Sequence, residues 1–225
     1  MSSERSAAKV FVWPLATGFL ADDRRPRADG CLSARCPLTT AMLDLPKPVD
    51  DGACRHLPGM RMPAITLPST GGKMINLGAL KAPRTVIYCY PMTGVPGKPL
   101  PPNWDSIPGA RGCTPQTCGF RDHHSELTAL GAEVFGLSTQ TTAYQQEMVQ
   151  RLHVPFEVLS DAEFRFCDAL RLPTFEAEGM RLIKRLTLIV RNGIIETVFY
   201  PVFPPDESAD QVIRWLRQAG QAKPA

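Results

Sequence analysis

The order of apolar and polar residues predicts an α/β sandwich, in which a central mixed β-sheet is flanked by helices. Three observations carry this prediction. The stretch 84–90 is apolar at nearly every position, as expected of a strand buried on both faces of a sheet. Helical and extended patterns alternate after it. Asn192-Gly193 joins two apolar runs near the C-terminus, and this dipeptide is the strongest short-range signal for a hairpin.

The regular part of the chain begins with an N-terminal hairpin, because residues 65–67 and 74–77 flank a Ser-Thr-Gly-Gly turn. After the buried strand comes a loop rich in proline and glycine, 91–112, and loops of this length are functional or disordered. The remaining expected elements are a helix at 115–130, a strand at 133–138, a helix at 141–151, a strand at 156–159, a helix at 163–170, strands at 185–191 and 194–200, and a helix at 206–217. This order describes a thioredoxin-like fold.

The composition narrows the class of protein. The 225 residues are 44% hydrophobic and 21% charged, which is normal for one globular domain with an appendage. A formal net charge of +3 is too small to indicate nucleic acid as a partner. No apolar run approaches the roughly 18 residues that a membrane span needs. We therefore expect neither nucleic-acid binding nor membrane insertion.

Residues 1–55 differ in pattern from the rest of the chain. An apolar stretch at 10–21 is interrupted by Pro14 and lacks a small-x-small cleavage site, which weighs against a signal peptide. We expect a poorly ordered extension here, with the folded domain at 56–220, and export is the alternative. Cys31, Cys36 and Cys54 lie in this region without a fourth ligand at a fixed offset, so a metal site is not favoured.

The chain holds seven cysteines, an odd number at irregular spacings. It is also too long for a small disulfide-stapled secreted domain, so most should be thiols in a reducing compartment, which we take to be the cytoplasm. Cys89 lies in an apolar run and Cys167 in a helical stretch, and both are expected to be buried core residues. Any cysteine chemistry must therefore be sought elsewhere in the chain.

Cys113 and Cys118 stand where a glycine-rich loop meets the start of a helix. Thr114 suits the N-cap and Pro115 the first helical position. The unpaired N–H groups and the dipole at a helix N-terminus favour a thiolate. With Arg111 nearby in sequence, Cys113 is the best candidate for an activated thiolate.

The spacing of these two cysteines carries a second consequence. Residues five apart on an α-helix have Cα atoms roughly 8 to 9 Å apart, whereas a disulfide needs them within about 7 Å. A Cys113–Cys118 bridge would therefore require the helix start to unwind. The alternative is that neither cysteine is reactive, with Cys118 a core residue of the helix and Cys113 an inert loop thiol.

Three segments, 90–91, 112–122 and 184–190, resemble the peroxiredoxins, specifically the bacterioferritin-comigratory or Q-type group. The resemblance extends over about 57–217. It implies that Cys113 is the peroxidatic cysteine and Cys118 the resolving cysteine of the same subunit. It also implies that Arg185 lies beside the peroxidatic sulfur, where a guanidinium stabilises a thiolate and donates to peroxide oxygens.

The chain departs from that group in front of the peroxidatic cysteine. Q-type proteins usually have a short loop there, with a threonine three residues before the cysteine, and Ala110 stands at that position. The loop is also much longer here. Thr93 is the candidate to supply the missing hydroxyl, which normally holds the peroxide in line with the sulfur.

The resulting hypothesis is a thiol peroxidase that reduces hydrogen peroxide or organic hydroperoxides without a metal, flavin or nucleotide cofactor. A thioredoxin or glutaredoxin would reduce the disulfide, and the protein would be a monomer or weak homodimer. One rival is a thioredoxin-fold disulfide oxidoreductase or redox sensor without peroxide turnover. The other is a metal-binding module that uses Cys113, Cys118, His123 and His124.

Overall fold

A computed structural model describes residues 45–221. The expectations for Cys31, Cys36 and the apolar stretch at 10–21 lie outside the described residues. In chain order the elements are β1 (Thr66–Pro68), β2 (Met74–Asn76), β3 (Arg84–Cys89), α1 (Cys113–Asp122), α2 (His124–Ala129), β4 (Ala132–Ser138), α3 (Thr142–Leu152), β5 (Val158–Ser160), α4 (Arg165–Ala169), β6 (Thr174–Ala177), β7 (Met180–Ile183), β8 (Leu186–Arg191), β9 (Ile194–Phe199) and α5 (Ser208–Gln221).

Five strands form the central sheet in the order β5-β4-β3-β8-β9. β3 pairs in parallel with β4 and antiparallel with β8, so the sheet is mixed as predicted. β1 and β2 pair as the expected N-terminal hairpin. The thioredoxin-like α/β fold is thereby confirmed.

The two faces of the sheet bury separate apolar cores, which explains why β3 is apolar throughout. Successive side chains of a strand point to opposite faces. Val86 and Tyr88 therefore pack on the side of α1, α3 and α5, while Ile87 and Cys89 pack on the side of α4 and the β1–β2 hairpin. Cys167 joins the second of these cores, and it is fully buried as expected.

The predicted helix at 115–130 is wrong in two details. It is divided into α1 and α2 at His123, and it begins at Cys113 rather than Pro115. The N-cap is Gly112, whose φ of 104° lies in the left-handed region that glycine adopts without strain. Its carbonyl accepts the first helical hydrogen bond from the Gln116 N–H at 3.0 Å. Cys113 therefore occupies the first position of the helix.

A hairpin formed by β6 and β7 has no counterpart among the predicted elements. Its turn residues, Glu178 and Gly179, both have positive φ (49° and 72°), as two-residue hairpin turns require. Glu-Gly is a weaker signal for such a turn than Asn-Gly. The hairpin packs against the loop 91–112 and forms a third apolar core, centred on Trp104, Ala110, Ala177 and Leu182.

The third core shows that the long loop is packed rather than disordered. Trp104 lies in a short 3₁₀ helix, is almost fully buried, and has its ring 6.1 Å from the ring of Phe175. Ile107 packs beside them. The end of the loop that leads into Cys113 is thus fixed by apolar contacts.

The residues before 56 also contact the domain. Cys54 is buried in the core on the side of the sheet that faces α4 and the β1–β2 hairpin. Asp51 accepts hydrogen bonds from Lys184 Nζ at 2.8 Å and from the Tyr200 hydroxyl at 2.9 Å. The domain boundary at residue 55 stays a prediction, but the part of the extension seen here is attached to the sheet.

Candidate active site

Cys113 lies at the N-terminal end of α1 with its side chain buried. Its Sγ is 3.5 Å from the carbonyl oxygen of Ala110, at the end of the long loop. Cys118 is buried five residues later on the same helix, and both are present as thiols rather than as a disulfide. Because both residues stand on intact helix, bond formation requires local unwinding.

Arg185 contacts the Cys113 sulfur directly. Leu186 pairs with Cys89, so Arg185 lies just beyond the end of β3, from which the long loop departs. Its Nη2 is 3.3 Å from Cys113 Sγ. The same nitrogen donates to the carbonyls of Gly109, Ala110 and Arg111 at 3.2, 3.3 and 3.0 Å. One guanidinium therefore holds both the sulfur and the loop that precedes it.

Among residues 45–221, the hydrogen-bond partners of the Arg185 guanidinium are neutral groups and the Cys113 sulfur. The Arg185 side chain is 3% exposed, and its other terminal nitrogen, Nη1, donates to Oε1 of Gln116. Within residues 45–221 no carboxylate lies at ion-pair distance from it. A buried charge is stabilised by an opposite charge beside it, and the Cys113 sulfur is the ionisable group that contacts this guanidinium in the described part of the chain.

Arg111, the cation nearest to Cys113 in sequence, is engaged elsewhere. Its Nη1 forms an ion pair with Asp105 at 2.6 Å. Although Arg111 lines the same cavity as Cys113, the guanidinium at the sulfur is the one from Arg185. Tertiary contact rather than sequence proximity therefore supplies the positive charge.

The other described cysteines of the core are held as neutral thiols. Burial raises the pKa of Cys54 and of Cys167 to about 12. Burial also raises the pKa of Cys89 well above its ordinary value. Because the thiolate is the nucleophile, these three side chains are unsuited to attack at neutral pH.

A cavity of about 390 Å³ opens in front of Cys113. The long loop forms most of its wall, with apolar side chains at Met92, Val95, Pro96, Leu100 and Trp104. Lys98 and Arg151 add positive charge. The cavity is therefore a largely apolar chamber with the candidate nucleophile in its wall.

Thr93 lines the same cavity as Cys113 and is 1% exposed. Its backbone N–H and its hydroxyl both donate to Gln140 Oε1, at 3.1 and 3.3 Å. Its carbonyl accepts from the Tyr144 hydroxyl at 2.8 Å. Ala110, at the position where the family resemblance leads us to look for a threonine, is fully buried.

Sequence reasoning did not identify Gln116, Gln140 or Tyr144. Gln116 lies inside the cysteine motif, where its spacing alone gives no reason to expect a contact with Arg185. Gln140 is 47 residues from Thr93 and Tyr144 is 51 residues from it. No local pattern connects such positions, so only the folded chain reveals them.

The two histidines of the proposed metal module contact acidic and aromatic side chains. His123 lies between Glu126 and Asp210, at 3.4 and 3.5 Å, and the His124 ring lies 5.5 Å from the Phe156 ring. In the described part of the chain, no group of three or more His, Cys, Asp or Glu side chains is arranged to hold a metal ion.

Across residues 45–221, no helix has both the length and the apolar character required to cross a membrane.

Comparison with known proteins adds the family context. A family model described as Redoxin matches residues 57–213. The putative peroxiredoxin bcp of Coxiella burnetii is 33% identical over 145 residues, which cover 63% of this chain and 86% of that protein. The chloroplastic peroxiredoxin Q of Suaeda salsa is 27% identical over 71% of this chain and 67% of its own. The crystal structure of peroxidoxin BcpB from Mycobacterium tuberculosis matches with a TM-score of 0.59 and 23% identity, over 72% of this chain and 98% of that chain.

Proposed function

The chain belongs to the Redoxin family as a peroxiredoxin of the Q or bacterioferritin-comigratory type, and from that premise we propose that Cys113 is its peroxidatic thiolate. The observation that carries this assignment is the contact between Arg185 and the Cys113 sulfur at a helix N-terminus. A guanidinium and unpaired helix N–H groups both favour the anion. Burial instead raises the pKa of Cys54, Cys89 and Cys167.

In the first step the Cys113 thiolate attacks one oxygen of the hydroperoxide. An S–O bond forms, the O–O bond breaks, and the other oxygen leaves as hydroxide or alkoxide and takes up a proton. The sulfur is oxidised to a sulfenic acid and the peroxide is reduced to water or an alcohol. Arg185 is close enough to stabilise the thiolate and to donate to the peroxide oxygens.

In the second step the start of α1 unwinds and the Cys118 thiol condenses with the sulfenic acid. A disulfide forms and water leaves. The five-residue spacing on one helix supports the need for unwinding. Reduction of the disulfide would allow the helix to form again.

The cavity supports organic hydroperoxides as substrates beside hydrogen peroxide. Its volume of about 390 Å³ far exceeds what hydrogen peroxide needs, and its lining is mostly apolar. Apolar walls contribute binding free energy to an alkyl or aryl group in proportion to the area they cover. The substrate would enter with its O–O bond toward Cys113.

A thioredoxin or glutaredoxin is the proposed reductant, because dithiol proteins reduce disulfides by thiol exchange. Such a cycle fits a reducing compartment, and the cytoplasm is our proposal for it. An intrachain disulfide needs no second subunit, which is compatible with a monomer or weak homodimer.

The test is to add stoichiometric peroxide to the reduced protein and to follow it by peptide mass spectrometry and a thiol count. We expect a Cys113–Cys118 bridge in the wild type, a trapped sulfenic acid at Cys113 in Cys118→Ser, and no change of outcome in the control Cys167→Ser. If Cys113 stays reduced while other thiols oxidise slowly, the peroxidase assignment is wrong. Disulfide exchange without peroxide consumption would instead favour the oxidoreductase or redox-sensor alternative, for which the absence of a hydroxyl at Ala110 is an argument.

A further inference from the structure

One polar network reaches the catalytic cavity without including a cysteine or Arg185. It joins Thr93 to Gln140 and Tyr144. We infer that Gln140 is a positioning residue, which fixes the hydroxyl of Thr93 as a hydrogen-bond acceptor for the O–H of the bound hydroperoxide. This inference rests on the proposed function. Thr93 would supply the hydroxyl that is missing at Ala110.

The direction of the hydrogen bonds follows from which groups can donate. A backbone N–H only donates, and the Thr93 N–H lies 3.1 Å from the terminal side-chain atom of Gln140, so that atom is the amide oxygen. This oxygen cannot donate to the Thr93 hydroxyl 3.3 Å away, so the hydroxyl donates to it. The only proton of the Thr93 hydroxyl is therefore used, and its oxygen is left to accept.

Gln140 is itself held in place by the sheet. Its carbonyl accepts from Ser160 Oγ at 2.6 Å, and its N–H donates to Ser138 Oγ at 3.3 Å. Ser138 and Ser160 are paired at the ends of the parallel strands β4 and β5. Gln140 is 8% exposed, so its side chain has little freedom to turn away. A side chain that is supported by strand ends in this way is held more accurately in position than one carried by a loop alone.

Thr93 is also fixed through its own backbone. Gln140 accepts from its N–H, and Tyr144, on α3, donates to its carbonyl at 2.8 Å. Both backbone polar groups of Thr93 are thus hydrogen-bonded, and Thr93 itself lines the cavity together with Cys113. Its Oγ1 is left as an acceptor. The Arg185 guanidinium does not line the cavity but contacts the Cys113 sulfur at its wall.

These two groups have complementary roles toward a hydroperoxide. Its O–H is a donor and finds an acceptor in Thr93, while its oxygens accept from Arg185. Two fixed contacts hold the O–O bond in one orientation for attack by the sulfur, and loss of such an orientation slows a reaction by up to about 100-fold. A reagent that alkylates the thiolate has no O–O bond to orient, so its reaction does not need the Thr93 hydroxyl as an acceptor.

The experiment compares two reactions of Cys113 in Gln140→Met, a substitution that removes the acceptor and keeps a long, unbranched side chain. The first is the single-turnover rate constant for oxidation by cumene hydroperoxide, which we expect to fall about 10- to 100-fold. The second is the rate of alkylation by iodoacetamide, which reports the thiolate and the folded site, and which we expect to stay near wild type. Gln150→Met, at an exposed position of α3, is the matched control.

A double-mutant cycle establishes whether Gln140 acts through Thr93. In a Thr93→Val background, we expect Gln140→Met to cause no further loss of the oxidation rate. Equal losses in oxidation and alkylation, an unchanged oxidation rate, or additive losses in the cycle would each overturn the positioning role. If wild-type Cys113 does not react with peroxide at all, both the proposed function and this inference fail. If the wild type reacts and Gln140→Met equals it, only the inference fails.

Discussion

The Nη2 atom of Arg185 lies 3.3 Å from the sulfur of Cys113, although 72 residues separate the two in sequence. The same nitrogen donates to three successive backbone carbonyls of the loop before Cys113. The contact therefore has two consequences: it brings a positive charge to the sulfur, and it fixes the backbone of residues 109–111, which leads into the helix start.

The double role of Arg185 predicts that Arg185→Lys will not be a conservative change. An ammonium keeps the charge but lacks the planar array of donors that reaches the sulfur, the loop carbonyls and Gln116 together. We expect the rate constant for peroxide reduction to fall by about 10- to 100-fold, measured by stopped-flow consumption of peroxide. Arg191→Lys, at the exposed end of β8, is the control and should retain the wild-type rate. Retention of full activity by Arg185→Lys would contradict the role of the guanidinium.

The third core predicts an effect of Trp104 on disulfide formation. Its indole packs with Ala110 and Phe175 and so immobilises the chain just before Cys113. We expect Trp104→Ala to lower the free energy of unfolding by about 3 kcal/mol. At the same time the Cys113–Cys118 bridge should form faster after oxidation, because the loop resists unwinding less.

These two effects of Trp104→Ala are measured by urea unfolding and by acid-quenched mass spectrometry. Trp215→Ala is the control, because Trp215 is half-buried on α5 and its ring lies under Arg84, away from the third core. It should lower stability without accelerating disulfide formation. A bridge that forms no faster in Trp104→Ala would refute the idea that this core restrains the helix start.

The raised pKa values of the buried core thiols predict selective alkylation. With the pKa of Cys54 and Cys167 at about 12, and that of Cys89 well raised, the three remain protonated in the folded protein at pH 8. Iodoacetamide should therefore modify Cys113 well before these residues, as read by peptide mass spectrometry. In urea, where burial is lost, all of them should react. Modification of Cys167 as fast as Cys113 in the native protein would disprove this assignment.

The lowered pKa of Asp51 predicts that the folded protein loses stability at acidic pH. The hydrogen bonds of Asp51, first that from Lys184, lower the pKa from 3.8 to about 2 in the folded state. A carboxyl with a lowered folded-state pKa stabilises the protein above its unfolded pKa, and this contribution is lost as the pH falls from about 4 toward 2. We expect Asp51→Asn to unfold at lower urea concentration at pH 6 and to lose less stability between pH 4 and pH 2.

The control for this pH dependence is Asp50→Asn, because the Asp50 side chain accepts from the backbone of Gly52 rather than from Lys184. Urea midpoints measured from pH 2 to pH 6 compare the three proteins. The attachment of residues near Asp51 to the sheet would be unimportant for stability if Asp51→Asn followed the wild-type curve throughout.

The sequence by itself was sufficient for the fold class and for most elements. The buried strand β3, the hairpin formed by β8 and β9 and a helix at the cysteines were predicted because each depends on local patterns of apolar residues, turn dipeptides and helix-terminal residues. That helix begins at Cys113, however, and not at the predicted Pro115. The motif around Cys113 also indicated the family, which the comparisons confirm. The roles of Cys113, Cys118, Arg185 and Thr93 stay predictions for the experiments above.

The tertiary structure alone decided how the site is completed. It joined Thr93 to Gln140, and it folded the long loop against the unpredicted β6–β7 hairpin. The resemblance to the peroxiredoxins had already implied Arg185 beside the sulfur, and the structure adds that Arg111 is paired with Asp105 instead. The contacts of Thr93 and of the long loop lie beyond the reach of sequence patterns, because each brings together side chains that are far apart in the chain and meet only when the sheet has formed.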